Sequence, residues 1–154
     1  IDKVLSERIT YMPGGRTLVA TMKANGAFAM LVSGGFTAFA AQVADALGMD
    51  AHRANTLHVD GDVLAGTVAE PILGRDAKVE SLKDRAAQLG ISEADVLAVG
   101  DGANDLGMLS LAGTGVALHA KPAVQAQCDL RINHGDLTAL LFLQGYARDA
   151  FVTD

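Results

Sequence analysis

Residues 95–106 read DVLAVGDGANDL, and the order of residue types within them decides the fold class. Asp95 to Val99 is a short run, apolar after its first residue, as expected of a strand covered on both faces. Gly100 and Gly102 let the chain turn sharply, and the residues from Asn104 to about 112 have helical character. A buried strand, a glycine turn and a helix in that order are half of a parallel α/β unit. In open parallel sheets, ligands bind just beyond the carboxyl ends of the strands. At that place the sequence puts two carboxylates and an amide, Asp101, Asn104 and Asp105, within five residues. Such a set suits a hard cation, which takes oxygen ligands and keeps several waters. An Asx turn or a helix cap would need only one of the three.

Working outward from this loop, helix-like and strand-like pieces alternate along the whole chain. Upstream, residues 1–9 predict the end of a helix, and Pro13-Gly14-Gly15 breaks it. Residues 15–25 carry apolar side chains at helical spacing, with Gly26 as a stop. Phe28 to Val32 is a second continuously apolar strand, and Phe36 to Leu47 an amphipathic helix ended by Gly48. Residues 54–69 alternate around Asp60-Gly61, a hairpin signal of the type I′ kind. Residues 76–89 predict a helix. Downstream of the central loop come a strand at 115–118, a short helix after Lys121-Pro122, a strand at 129–132 and a helix at 137–146. The sum is an α/β protein with a mostly parallel sheet and one hairpin.

Composition narrows the function classes. The 154 residues are 50% hydrophobic and 19% charged, which fits a folded chain with a real core. The net charge of −6 argues against a general nucleic-acid surface, though a bound cation and one lysine can still make a local anion site. Cys128 is the single cysteine, so no internal disulfide can form, and it is expected in the core or near the surface. No apolar run reaches the length of a membrane span and no signal peptide is visible. A soluble cytoplasmic protein is therefore expected, with no nucleic-acid or membrane partner.

Two further stretches carry chemistry. In Leu31-Val32-Ser33-Gly34-Gly35-Phe36 a hydroxyl follows an apolar strand and precedes two glycines and a helix. Backbone N–H groups at such a helix start make an anion site, and Ser33 adds a donor, although a plain serine cap would look similar. Lys78 lies at the start of the helix after Gly74-Arg75-Asp76-Ala77. Taken alone it is an ordinary solvated lysine, with Arg75 a competitor for any anion role. In chain order, however, Ser33, Lys78 and Asp101/Asn104/Asp105 resemble motifs two, three and four of the haloacid dehalogenase superfamily of phosphatases. The wording S-G-G-F, G-D-G-A-N-D-L and H-A-K-P (His119 to Pro122) resembles its phosphoserine phosphatase branch, over about Ile9 to Gly145.

The resemblance implies a Rossmann-like, doubly wound sheet. It also implies that Asp101 binds Mg²⁺, and that Ser33 and the Gly34 amide hold phosphoryl oxygens. Lys78 would neutralise the phosphate, Asp105 would hold Lys78, and Asn104 would contact the substrate near its phosphate. The substrate would be a small phosphorylated molecule, O-phospho-L-serine, converted to serine and phosphate. Phosphoryl transfer asks for this equipment, since positive charge and fixed donors around the equatorial oxygens do most of the work. By its own position, after a strand and before Lys121-Pro122, His119 could reach the site, either to support the Asp101 loop or to transfer a proton. His52, His58 and His134 show no metal-binding pattern.

One element of the family's pattern is not found. Its nucleophilic aspartate lies in a D-x-D-x-T/V motif on the first, central strand, and nothing before Ser33 matches. Asp2 and Glu7 are the only acidic residues there. Residues 1–12 are accordingly expected to be the end of a cap or linker helix, and 13–154 a catalytic core without its first strand and most of the cap. That leaves the slot to a missing N-terminal segment, to a strand exchanged from another copy, or to direct pairing of the strands at 28–32 and 95–99. Val59-Asp60-Gly61-Asp62-Val63 spells D-x-D-x-V, but it alternates and turns back at once, so Asp60 and Asp62 are expected at an exposed hairpin tip. Two other functions use similar residues. One is a phosphate- and Mg²⁺-binding, non-catalytic remnant. The other is the phosphorylation domain of a cation-pumping ATPase, which would need membrane spans and usually shows Thr-Gly-Asp where this chain has Ser33-Gly34-Gly35.

Overall fold

The computed structural model describes residues 9–153, and the helix end expected over 1–9 lies, but for Ile9, outside them. Ile9 to Met12 carry no regular structure. The chain divides into two compact units. One holds the described residues up to Ile72 together with those from Gly135 on, and the other spans Leu73–His134.

In the first unit, α1 (Gly15–Ala24) ends at the predicted glycine, Gly26, whose φ is 84°. After it come β1 (Met30–Phe36), α2 (Thr37–Leu47) and β2 (Ala51–Asn55). β1 and β2 pair in parallel, from Met30↔Ala51 to Val32↔Arg53, and the register then shifts before Phe36↔Asn55. Two expectations need correction. β1 begins two residues later than predicted, because Ala29 is used differently: its N–H donates to Asp50 Oδ2 at 2.8 Å and its carbonyl accepts from Asp50 N at 2.8 Å. β2 is a strand of its own, and its last two residues fall within the 54–69 stretch expected to form the hairpin. β1 is half-buried rather than covered on both faces, as suits the outer strand of a two-stranded sheet.

The hairpin is present as β3 (Leu57–Asp60) and β4 (Val63–Val68), paired antiparallel. Asp60 still pairs with Val63, so the two-residue loop is Gly61-Asp62, one residue later than expected. Only Gly61 has positive φ, 59°. That is the pattern of a II′ turn, where glycine comes first, and not of I′. Asp60 and Asp62 are exposed, as expected. The unit closes with α6 (Ala139–Leu143), shorter than the predicted 137–146, whose Leu140 and Leu141 are fully buried.

In the second unit, α3 (Arg75–Leu89) leads to β5 (Leu97–Gly100), a single 3₁₀ turn (Ala103–Asp105) and α4 (Leu106–Leu111). Then come β6 (Thr114–Leu118), α5 (Pro122–Gln125) and β7 (Leu130–Ile132). The three strands form one parallel sheet in the order β5-β6-β7, with Val99↔Val116 and Ala117↔Arg131 in register. Its core is Leu82, Ala98, Leu109 and Ala112, continued by Ala117, Ala120 and Val124, and half-buried Cys128 packs against both clusters. α4 sits so close to β6 that a side chain at Gly115 would run into the Leu109 carbonyl. Such close packing brings the start of α4 and the end of β5 together, which is where the central loop lies.

Candidate active site

The loop after β5 is organised by one carboxylate. Asp105 is 3% exposed. Its Oδ2 accepts from the N–H of Asp101 at 3.1 Å and of Gly102 at 3.0 Å, while its Oδ1 accepts from Lys78 Nζ in an ion pair. Both oxygens of this buried carboxylate are thus met by donors, which is the condition for burying a charge at all. The lysine comes from the first turns of α3 and its side chain is 13% exposed. Arg75, the competitor three residues earlier, is exposed.

This arrangement depends on the glycine at the end of β5. A Cβ on Gly100 would stand 2.5 Å from both Cβ and Cγ of Asp105. From the sequence both glycines are expected as turn formers. For Gly100 the stronger reason is room for a carboxylate against the backbone.

Asp101 and Asn104 are on the exposed side of the same loop. The Asp101 carboxylate has no hydrogen-bond or ion-pair partner among the described residues, in contrast to Asp105. A hard oxygen donor presented to solvent fits Mg²⁺, which binds through one or two carboxylates together with phosphate oxygens and waters. The described residues contain no cluster of three His, Cys, Asp or Glu that could hold a metal.

The structure therefore brings Lys78, Asp101, Asn104 and Asp105 together within one unit. Ser33 and Gly34 belong to the other. There Ser33 lies in the irregular end of β1, and its Oγ accepts from the Gly35 N–H at 3.0 Å. The Gly34 carbonyl accepts from Asn55 Nδ2 at 2.9 Å, and Gly34 and Gly35 are exposed. Ser33 is inside the strand rather than after it, and α2 starts only at Thr37. Asn55, buried to 6% exposure, and Thr37, which donates to the carbonyl of Asn55 at 3.1 Å, fix this stretch and were not singled out from sequence. In the second unit, the backbone after β6 supports the Asp101 loop: Lys121 N–H donates to the Asp101 carbonyl at 3.4 Å.

Comparison with known proteins gives the family. A family model described as haloacid dehalogenase-like hydrolase matches residues 1–110. The phosphoserine phosphatase SerB2 of Mycobacterium tuberculosis is 40% identical over 148 residues, covering 96% of this chain and 36% of that protein. A phosphoserine phosphatase of Albidiferax ferrireducens is 42% identical, covering 93% of this chain and 62% of that one. The crystal structure of a probable phosphoserine phosphatase from Vibrio cholerae superposes with a TM-score of 0.88 at 35% identity, covering 96% of this chain and 47% of that one. The chain thus spans between about a third and two thirds, 36% to 62%, of the curated relatives it matches. With its α/β fold and its motifs in the family's order, the chain belongs to the haloacid dehalogenase-like hydrolases.

Proposed function

We propose that this chain carries the charge-stabilising part of a Mg²⁺-dependent phosphomonoesterase acting on O-phospho-L-serine. The observation that carries the reading is the double use of Asp105, which holds a lysine ammonium with one oxygen and the Asp101–Gly102 turn with the other. A phosphoryl group in transfer needs positive charge already in position, because fixed groups need no reorganisation as the reaction occurs. Lys78 supplies that charge and Asp105 keeps it from swinging into solvent. Asp101 would hold Mg²⁺, which when bound supplies further positive charge to the phosphoryl oxygens.

Ser33 would donate to a phosphoryl oxygen together with the Gly34 amide. Its Oγ already accepts from Gly35, which leaves the hydroxyl proton to donate outward. Asn104 would contact the substrate beside its phosphate. The nucleophile would be an aspartate that forms an aspartyl-phosphate. It is assigned to a segment ahead of this sequence, since D-x-D-x-T/V does not occur before Ser33 and the relatives are longer. Phosphoserine as substrate rests on the names of those relatives. The protein would work in the cytoplasm, in serine biosynthesis.

The test is phosphate release from phosphoserine by the longest product of the gene, with and without Mg²⁺. Turnover that needs Mg²⁺ and is abolished by Asp101→Asn is expected. Turnover indifferent to both would overturn the reading.

A further inference from the structure

The chain leaves β6 by a turn that a side chain resists. His119 has φ of 47°, and it is the one non-glycine residue with positive φ among those described. Bulky residues rarely enter this left-handed region, and when they do the surroundings hold them there. Here His119 and the two residues after it are fixed at separate points. The His119 N–H donates to the Ile132 carbonyl of β7 at 2.8 Å. The Ala120 carbonyl accepts from Gln125 Nε2 at 2.6 Å, and Ala120 itself is buried at 6% exposure. The Lys121 N–H then meets the Asp101 carbonyl at 3.4 Å. β5 and β6 are neighbouring strands in register, so the turn after one lies beside the loop after the other.

Asp101 is thereby held through both of its backbone polar groups. Its N–H goes to Asp105 Oδ2 and its C=O receives Lys121 N–H. We propose that the left-handed turn at His119 is a positioning device: it aims the Lys121 amide at Asp101 and fixes the backbone from which the exposed Asp101 carboxylate projects. The ammonium of Lys121, exposed at the start of α5, is not the working part; its backbone N–H is. This inference rests on the proposed function only in taking Asp101 as the Mg²⁺ ligand.

The test removes the Lys121 N–H alone. Lys121→Pro would fit the local φ of −64° and ψ of 149°, but its Cδ takes the place of the hydrogen and would run into the Asp101 carbonyl. Replacing the Ala120–Lys121 amide by an ester, with the lysine side chain kept, takes away the donor and adds no atom. Mg²⁺ binding is measured by calorimetry on the ester protein and the unaltered one, with circular dichroism as a check on folding. Partners behind a metal ligand typically change affinity by about 10–100-fold. At 3.4 Å the bond is long, so the ester protein is expected to bind Mg²⁺ about tenfold more weakly. Equal affinities in the two proteins would overturn the proposal.

A second measurement needs neither metal nor activity. Hydrogen exchange of the Lys121 amide in the unaltered protein should be slowed well below that of a free amide. Free exchange there would overturn the device even if Mg²⁺ binds. Absence of any Mg²⁺ binding to the unaltered protein, with the amide protected, would instead overturn the assignment of Asp101 and with it the purpose given to the turn.

Discussion

At the scale of the residue, Asp105 is the most demanding position in the chain. Its two oxygens accept from three donors, and it is 3% exposed. An asparagine there has one acceptor oxygen and one NH₂ group. Whichever way it turns, the NH₂ meets either the Lys78 ammonium or the two loop amides, donor against donor. Asp105→Asn is expected to cost about 3 kcal/mol, the low end for breaking a buried ion pair, read as a fall in the urea midpoint, and to lower Mg²⁺-dependent turnover with it. Gly100→Ala tests the same carboxylate by sterics. Its Cβ would lie 2.6 Å from Asp105 Oδ2, and overpacking of this kind costs about 1–3 kcal/mol. A Gly100→Ala protein as stable as the unaltered one would show that Asp105 can move. The identities of Asp101, Asn104 and Asp105 as a set were legible in the sequence because three polar residues crowd one strand-to-helix turn. Lys78 was not legible by itself, because a lysine in the first turns of a helix looks the same whether it faces solvent or a buried aspartate. Only the family's motif order separated the two. The part played by the Lys121 amide could not be read at all, since any residue but proline has one.

At the scale of the element, strand interiors and glycine stops were predicted well and strand ends poorly. Gly26 and Gly48 ended their helices, with φ of 84° and 72°, because a left-handed stop leaves a composition signal. β1 was misplaced because a hydrogen bond from a distant residue decides where its ladder begins: Asp50 takes the Ala29 N–H. No local periodicity carries that information. The same contact makes an acid-sensitive joint. The Ala29 N–H, followed by the Lys23 ammonium, holds the Asp50 carboxyl below the usual carboxylate range. The Thr138 hydroxyl and N–H do the same for Asp136 ahead of α6. A carboxyl whose pKa is lower folded than unfolded stabilises fully above its unfolded value, about 3.9, and loses that contribution as pH falls through the folded one. The melting temperature should therefore drop as pH falls below about 4, and the drop should be shallower in an Asp50→Asn/Asp136→Asn double variant. Equal slopes in the two proteins would show that other carboxylates set the acid limit.

At the scale of the whole molecule, the nucleophile proposed above would come from outside these 154 residues, and that sets what they can do alone. Asp60 and Asp62, which spell the nearest thing to the nucleophile motif, sit at the exposed end of a hairpin. What remains is positioning and charge. In enzymes stripped of their nucleophile, such features alone retain about 10³–10⁴-fold acceleration over water. Phosphate monoesters are among the slowest of uncatalysed hydrolyses, and enzymes accelerate them by up to ~10²¹. A residual factor of that size is invisible against so slow a background. The 154-residue chain alone is accordingly expected to release no measurable phosphate from phosphoserine, with or without Mg²⁺. A longer gene product that adds a D-x-D-x-T/V strand ahead of it should turn over, and lose turnover when the first aspartate of that motif becomes asparagine. Robust Mg²⁺-dependent release by the 154-residue chain would sink this account, and loss of that release in Asp60→Asn or Asp62→Asn would move the nucleophile to the hairpin.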